Sequence, residues 1–224
     1  MKIVIAGGHG RIARRLGRLL AARGDGVIGI VRNPDHCTDL EADGTEPVVC
    51  DLEQASSEQV ASVLDGADAV VFAAGAGPGS GAARKHTVDH RAAVLVAEAA
   101  LRAGVRRYVM VSTRGAGSPP PAHADDVWAA YVNAKTAADE HLMAQDLDWT
   151  VLRPAALTDE PGTGTVRLTA GRSIGEITRD DVARVLAALL DTPTTAGLVL
   201  ELAAGPDPVT EAVAHAAEAR TGRP

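Results

Sequence analysis

Lys2-Ile3-Val4-Ile5-Ala6-Gly7-Gly8-His9-Gly10-Arg11-Ile12-Ala13 is the stretch that decides the fold. Lys2 to Ala6 is a short apolar run and reads as a strand, while Arg11 to Arg23 has the composition of a helix. Between them Gly7-x-x-Gly10-x-x-Ala13 passes from the strand directly into the helix. Glycines let a backbone approach a phosphate closely, and the start of a helix offers unpaired N–H groups and positive dipole character. A glycine turn alone is weak evidence. Placed after the first strand and at the mouth of a helix, Gly7-Gly8-His9-Gly10 predicts the phosphate turn of a nicotinamide dinucleotide site.

Outward from this turn, apolar runs alternate with helix-length amphipathic stretches to the end of the chain, the pattern of repeated β-α units and a parallel sheet. The predicted strands are Lys2 to Ala6, Val27 to Val31, Pro47 to Cys50, Ala69 to Ala74, Arg107 to Ser112, Trp149 to Arg153 and Leu198 to Leu202. The predicted helices are Arg11 to Arg23, Ser57 to Leu64, His86 to Ala103, Val127 to Asp146 and Asp180 to Leu190. In the third, Val88, Ala92, Leu95, Val96, Ala99 and Ala103 form an apolar stripe that Gly104 closes as a C-cap. Thr178 ahead of Asp180-Asp181 reads as an N-cap. The expected class is therefore α/β, a Rossmann-type doubly wound parallel sheet of about seven strands in one domain over residues 1–224. A small C-terminal extension is expected, with residues 154–178 supplying substrate-side loops. Gly75 to Gly81, Gly115 to Asp125 and Thr158 to Gly164 all follow strands, at the edge where open α/β sheets bind ligands.

The 224 residues suffice for one large core without disulfides or a structural metal. With 46% hydrophobic but only 2% aromatic content, that core is built from small aliphatic side chains, which suits a sheet covered by helices. A formal net charge of -7 argues against a nucleic-acid partner. Arg11, Arg14, Arg15, Arg18 and Arg23 cluster in the first helix, where a solvated basic face is the expected reading. No apolar run reaches the roughly 18 residues of a membrane span, and the opening strand lacks a signal cleavage site, so a cytoplasmic location is expected. Cys37 and Cys50 form no CxxC pair and read as reduced thiols. His86 and His90 stand at i, i+4, but without HExxH or a third ligand in register, so no metal is expected. His123 reads as an exposed loop histidine.

The end of strand 2 discriminates between cofactors. An Asp or Glu there binds the ribose hydroxyls of NAD, whereas this chain has Arg32 in Val31-Arg32-Asn33-Pro34. A planar guanidinium suits a 2′-phosphate, so NADP(H) is preferred and NAD(H) stays possible, the alternative being a solvated Arg32 with Asp35 at the ribose. After strand 3, Asp51 and Leu52 are placed to bracket the adenine, or Asp51 to cap a turn. Ala73, Ala74 and Gly75 are small enough to let a ribose pass, or form a plain flexible loop.

Tyr131-Val132-Asn133-Ala134-Lys135 puts a phenol and an ammonium on one helix face. With two tyrosines in the chain and lysines only at positions 2, 85 and 135, this spacing has a chance expectation of roughly 3%. A free phenol is a reluctant acid-base catalyst near neutrality, and a nearby ammonium stabilises its phenolate. Lys135 can also hold the nicotinamide ribose. Ser112, closing strand 5, is placed to polarise a substrate carbonyl that Tyr131 protonates; otherwise Ser112 merely ends a strand and Tyr131 packs at a boundary.

Taken with Val71-Phe72-Ala73-Ala74-Gly75, Val109-Met110-Val111-Ser112, Asp148-Trp149-Thr150-Val151-Leu152-Arg153-Pro154, the Glu160 to Gly164 loop and Arg179-Asp180-Asp181-Val182-Ala183, these motifs resemble the atypical short-chain dehydrogenase/reductases. Within them the chain is similar to the NAD(P)H-binding, NmrA-like branch, with Ala13 in place of a third glycine. The resemblance implies pyrophosphate contacts from Gly7, Gly8, Gly10, Arg11 and Ile12, an adenosine-phosphate contact from Arg32, and adenine contacts from Asp51 and Leu52. It implies a ribose lining of Ala73, Ala74 and Gly75, an active triad of Ser112, Tyr131 and Lys135, and Pro154, Ala155, Ala156 and Leu157 facing the nicotinamide. A monomer or weak homodimer acting on a small molecule is further implied. The leading expectation is an NADPH-dependent reductase of a small carbonyl, quinone or flavin-like acceptor. The alternatives are a non-catalytic NADP(H)-binding redox sensor and, last, a sugar-nucleotide epimerase or dehydratase, for which only about 70 residues follow Pro154.

Overall fold

A computed structural model describes residues 1–77, 79–120 and 124–221. In chain order the elements are β1 Lys2–Ala6, α1 Arg11–Ala22, β2 Gly26–Val31, α2 Cys37–Ala42, β3 Glu46–Val49, α3 Ser57–Leu64, β4 Ala69–Phe72 and α4 Gly81–Arg84. A π-helical stretch, Lys85–Arg91, leads into α5 Ala92–Ala103, followed by β5 Arg107–Val111, α6 Asp126–Met143 and β6 Asp148–Pro154. The chain closes with β7 Ala156–Thr158, β8 Thr165–Thr169, β9 Glu176–Thr178, α7 Arg179–Leu190, β10 Leu198–Ala204, β11 Asp207–Pro208 and α8 Val209–Thr221.

The seven strands read from the sequence run parallel in the order β3-β2-β1-β4-β5-β6-β10. This is the Rossmann order, with the switch point between β1 and β4. β8 and then β11 extend the β10 edge antiparallel, giving nine strands. Residues 154–178 are therefore not only loops: β7 and β9 pair in a small parallel sheet and β8 joins the main one. β7, β9 and β11 have two or three residues, too few to show a period, β8 alternates polar and apolar residues instead of forming an apolar run, and α8 disperses alanine among polar residues.

Alternation along each strand fills both faces of the sheet. Ile3, Ile5, Val71 and Val109 point into a cluster with Leu16, Leu20, Val182 and Leu186 of α1 and α7, while Val4, Val70, Phe72 and Met110 meet Val60, Val96 and Leu142 of α3, α5 and α6. Because both faces are buried, the strands read as unbroken apolar runs. Each such side chain contributes about 1.5–3 kcal/mol on burial. Ala92, Val96 and Ala99 of the predicted α5 stripe are buried, and Gly104 closes that helix at φ 72°.

The arginines of the first helix face solvent as expected, Arg11 and Arg18 being well exposed, but they are also paired with acids. Arg14 and Arg18 pair with Asp43, Arg15 with Asp180, Arg23 with Asp25 and Asp191, and Arg11 with Asp159. Apart from Asp25, two residues beyond Arg23, these partners lie 25 to 168 residues away, so no local pattern announces them.

The Thr158 to Gly164 loop is pinned by the start of α7. Asp181, 1% exposed, accepts hydrogen bonds from the backbone of Thr163 and Gly164 at 2.8 Å each and from the Thr178 hydroxyl and Arg184 at 2.9 Å. Burial pushes its carboxyl up, but these donors outweigh burial and hold it below the ordinary 3.8. A lowered folded value means that the stabilisation is complete above the unfolded value and is lost as pH falls through the folded one. Asp181→Asn is expected to cost about 1–3 kcal/mol at pH 7. The difference from wild type should shrink as pH falls below the ordinary carboxylate value, as read by urea unfolding at pH 7 and in acid.

Candidate dinucleotide and substrate site

Two adjoining cavities lie over the C-terminal ends of the strands and share Gly10, Ala73, Ala74 and Gly75. One, of about 310 Å³, spans β1, β2 and β3; the other, of about 650 Å³, lies over β4, β5 and β6.

The glycine turn forms the junction. Gly7 sits at φ 82°, in the left-handed region, and a methyl group there would come within 2.6 Å of the Ala74 backbone. Gly8 is buried within the turn, where a methyl group would stand 2.7 Å from Gly29 Cα, so the turn and β2 approach backbone to backbone. Gly10 N-caps α1 without a side-chain bond, and no acidic residue occupies the first turn. The first N–H groups of the helix are thus left for an anion, and the cradle left by the absent Cβ atoms fits a pyrophosphate.

At the end of β2, Arg32 is half exposed and lines the smaller cavity with His9, Asn33, His36, Asp51 and Leu52. Its guanidinium donates to Glu53 at 2.9 Å, and Arg84 donates to the same carboxylate at 2.7 Å. Thr87 takes the other Glu53 oxygen at 2.6 Å, and its hydroxyl, followed by the two guanidinium groups, holds Glu53 below its ordinary value. Asp51 receives the Glu53 N–H at 3.0 Å, so it caps a turn while bordering the cavity. The His9 ring stacks on His36 at 3.6 Å and bonds Asp39 at 2.7 Å. Glu53 and Arg84 have no motif around them that a sequence reading detects.

Ser112, Tyr131, Lys135, Arg11, Ile12 and Pro154 to Leu157 all line the larger cavity. Tyr131 lies on α6 with no hydrogen bond to its phenol among the described residues. Lys135, 3% exposed, donates to Val111 O at 3.1 Å and faces Asp89 at 3.6 Å. Asp89, 1% exposed, accepts the Ala76 N–H at 3.1 Å through its other oxygen. The ammonium standing over the Tyr131 ring is that of Lys85, 5.1 Å from the centroid and anchored to Gly77 O at 2.7 Å. The π-helical stretch turns both Lys85 and Asp89 inward, as such irregular turns do at functional sites. Lys85 is one of the lysines of a lysine-poor chain, the only signal in the sequence that points to it.

The Ser112 hydroxyl donates to Asp139 at 2.9 Å. Asp139, fully buried, also receives Arg153, and burial raises its carboxyl despite both partners. Toward the cavity Ser112 thus offers oxygen lone pairs. His86 and His90 face each other at 5.3 Å, and burial, followed by repulsion from His86 and His141, lowers His90. No group of metal-ligating residues occurs among the described residues. His123 lies outside them. No described helix is long and apolar enough to cross a membrane.

Residues 7–193 match the NAD(P)H-binding family. The chain is 37% identical to a Bacillus subtilis protein named as an uncharacterized sugar epimerase, YhfK, over 95% of this chain and 99% of that one. Among solved structures it is similar to a putative NAD-dependent epimerase/dehydratase from Bacillus halodurans, with 33% identity, TM-score 0.88 and coverage of 96% and 99% of the two chains. It is also similar to the oxidoreductase ylbE from Lactococcus lactis, with 27% identity, TM-score 0.84 and coverage of 96% of each chain.

Proposed function

The chain belongs to the NAD(P)H-binding family, of the atypical short-chain dehydrogenase/reductase type, and from that premise we propose that it is an NADPH-dependent reductase of a small carbonyl, quinone or flavin-like acceptor. The observation that carries this reading is Tyr131: a phenol on the larger cavity with no hydrogen bond among the described residues, flanked by the Lys85 ammonium, where the uncapped glycine turn also opens. Gly7, Gly10, Arg11 and Ile12 would hold the pyrophosphate, with Arg32 and Arg84 at the adenosine phosphate. When bound, the nicotinamide supplies hydride. Tyr131 then gives its proton to the reduced oxygen, and the Lys85 charge beside the ring steadies the phenolate left behind. Lys135 holds the ends of β4 and β5 in place through the Ala74 and Val111 carbonyls.

NADP(H) is favoured because Glu53 is occupied by Arg32, Arg84 and Thr87 and so is not free to bind ribose hydroxyls. NADPH is expected to bind at least tenfold tighter than NADH by fluorescence titration, and Arg32→Ala should erase most of that difference. Preference for NADH would overturn this assignment. A screen of quinones, flavins and aldehydes should then oxidise NADPH; tight binding without turnover would return the chain to the sensor alternative.

A further inference from the structure

The larger cavity carries five cationic side chains, Arg11, Lys85, Arg114, Lys135 and Arg179, against two carboxylates, Asp89 and Asp125. This excess stands out on a chain of formal net charge -7. Arg11 and Arg179 both pair with Asp159, and Lys135 pairs with Asp89. Lys85 is anchored to Gly77 O beneath Tyr131. Arg114 is the one left over: exposed, and with no side-chain hydrogen bond or ion pair among the described residues. Its own N–H donates to Pro154 O at 3.1 Å, which fixes its backbone at the end of β6. Asp125, the opposing charge on the same cavity, spends an oxygen on the N–H of Trp128 at 2.8 Å.

The apolar surface is concentrated in the same place. Of eight exposed large hydrophobic side chains among the described residues, Val127, Trp128 and Leu157 line this cavity. Trp128 packs on Tyr131 with centroids 5.5 Å apart and planes tilted by 44°, leaving 36% of the residue open. An exposed indole and a guanidinium left unpaired among the described residues, lining one cavity, suit a flat ring carrying a carboxylate, since the ring takes the apolar face and the fork takes two oxygens.

Resting on the assignment of this cavity to the acceptor, we infer that the acceptor is a planar ring compound bearing a carboxylate, the ring lying on Trp128 and the carboxylate on Arg114. Arg114 is then a specificity residue, outside the proton-transfer step.

The test compares 2-naphthoate with 2-naphthalenemethanol by titration calorimetry, on the full chain saturated with whichever nicotinamide dinucleotide it binds. The two probes share a ring and differ in charge. Naphthoate is expected to bind at least tenfold tighter. Arg114→Gln should bring it down to the affinity of the alcohol, and Trp128→Ala should weaken both alike. Equal affinities in wild type, no binding of either probe, or a preference surviving Arg114→Gln would overturn the inference. Because the readout is binding, a failure to oxidise NADPH with any acceptor would count against the reductase and leave the anion site standing. Turnover of neutral acceptors without a naphthoate preference would do the reverse.

Discussion

Lys135→Met is expected to lower the stability of the fold by about 3–5 kcal/mol, the penalty for removing one partner of a buried ion pair. Both charges are almost fully shielded, at 3% and 1% exposure, so solvent offers Asp89 little compensation once the ammonium is gone. One Asp89 oxygen already has no hydrogen bond, and its contact with Lys135 at 3.6 Å is electrostatic. The carbonyls of Ala74 and Val111 would also lose their donor, at the ends of the strands that line the larger cavity. The second substitution Asp89→Asn should recover part of the loss, because a neutral amide still accepts the Ala76 N–H without a stranded charge. Urea unfolding of both single variants and the double variant would measure the coupling, expected to exceed about 1 kcal/mol. A Lys135→Met variant within about 1 kcal/mol of wild type would show that the pair is not a structural staple.

Tyr131→Phe is expected to reduce kcat for any accepted acceptor by about 10²–10⁴-fold, the usual contribution of a positioned proton donor. NADPH affinity should stay within about twofold, because the ring and its contacts with Trp128 and Lys85 survive the loss of the hydroxyl. Stability should also hold, since the hydroxyl has no hydrogen bond to lose among the described residues. An unchanged kcat would remove Tyr131 from the chemistry, whereas a collapse of cofactor binding would mark it as a ribose contact.

Much of this site is legible because its cues lie close together along the chain. The turn at Gly7 to Gly10, the arginine closing β2 and the Tyr131-Lys135 spacing each occupy a few residues, and the structure gathers them along one sheet edge. Their partners were not legible. Lys135 meets Asp89 across 46 positions and Ser112 meets Asp139 across 27, with nothing local to mark either acid. The helix period anticipated at His86 to Ala103 also hid the π-helical stretch that turns Lys85 and Asp89 inward. A local period gives no warning of such an irregular turn, because packing against α6 selects it.

What the sequence by itself determined is the class of fold and the nature of the site. Unbroken apolar strands require a sheet covered on both faces, and a glycine turn between the first strand and helix places a candidate phosphate cradle at the sheet's C-terminal edge. What only the tertiary structure decided is the distribution of charge. It pairs the α1 arginines, commits Lys135 to Asp89, sets Lys85 beside Tyr131 and leaves Arg114 without a partner among the described residues. The physical reason is one of range. Periodicity and turn chemistry act between residues a few positions apart, whereas ion pairing depends on separations in space that exist only once the sheet has brought its strand ends together.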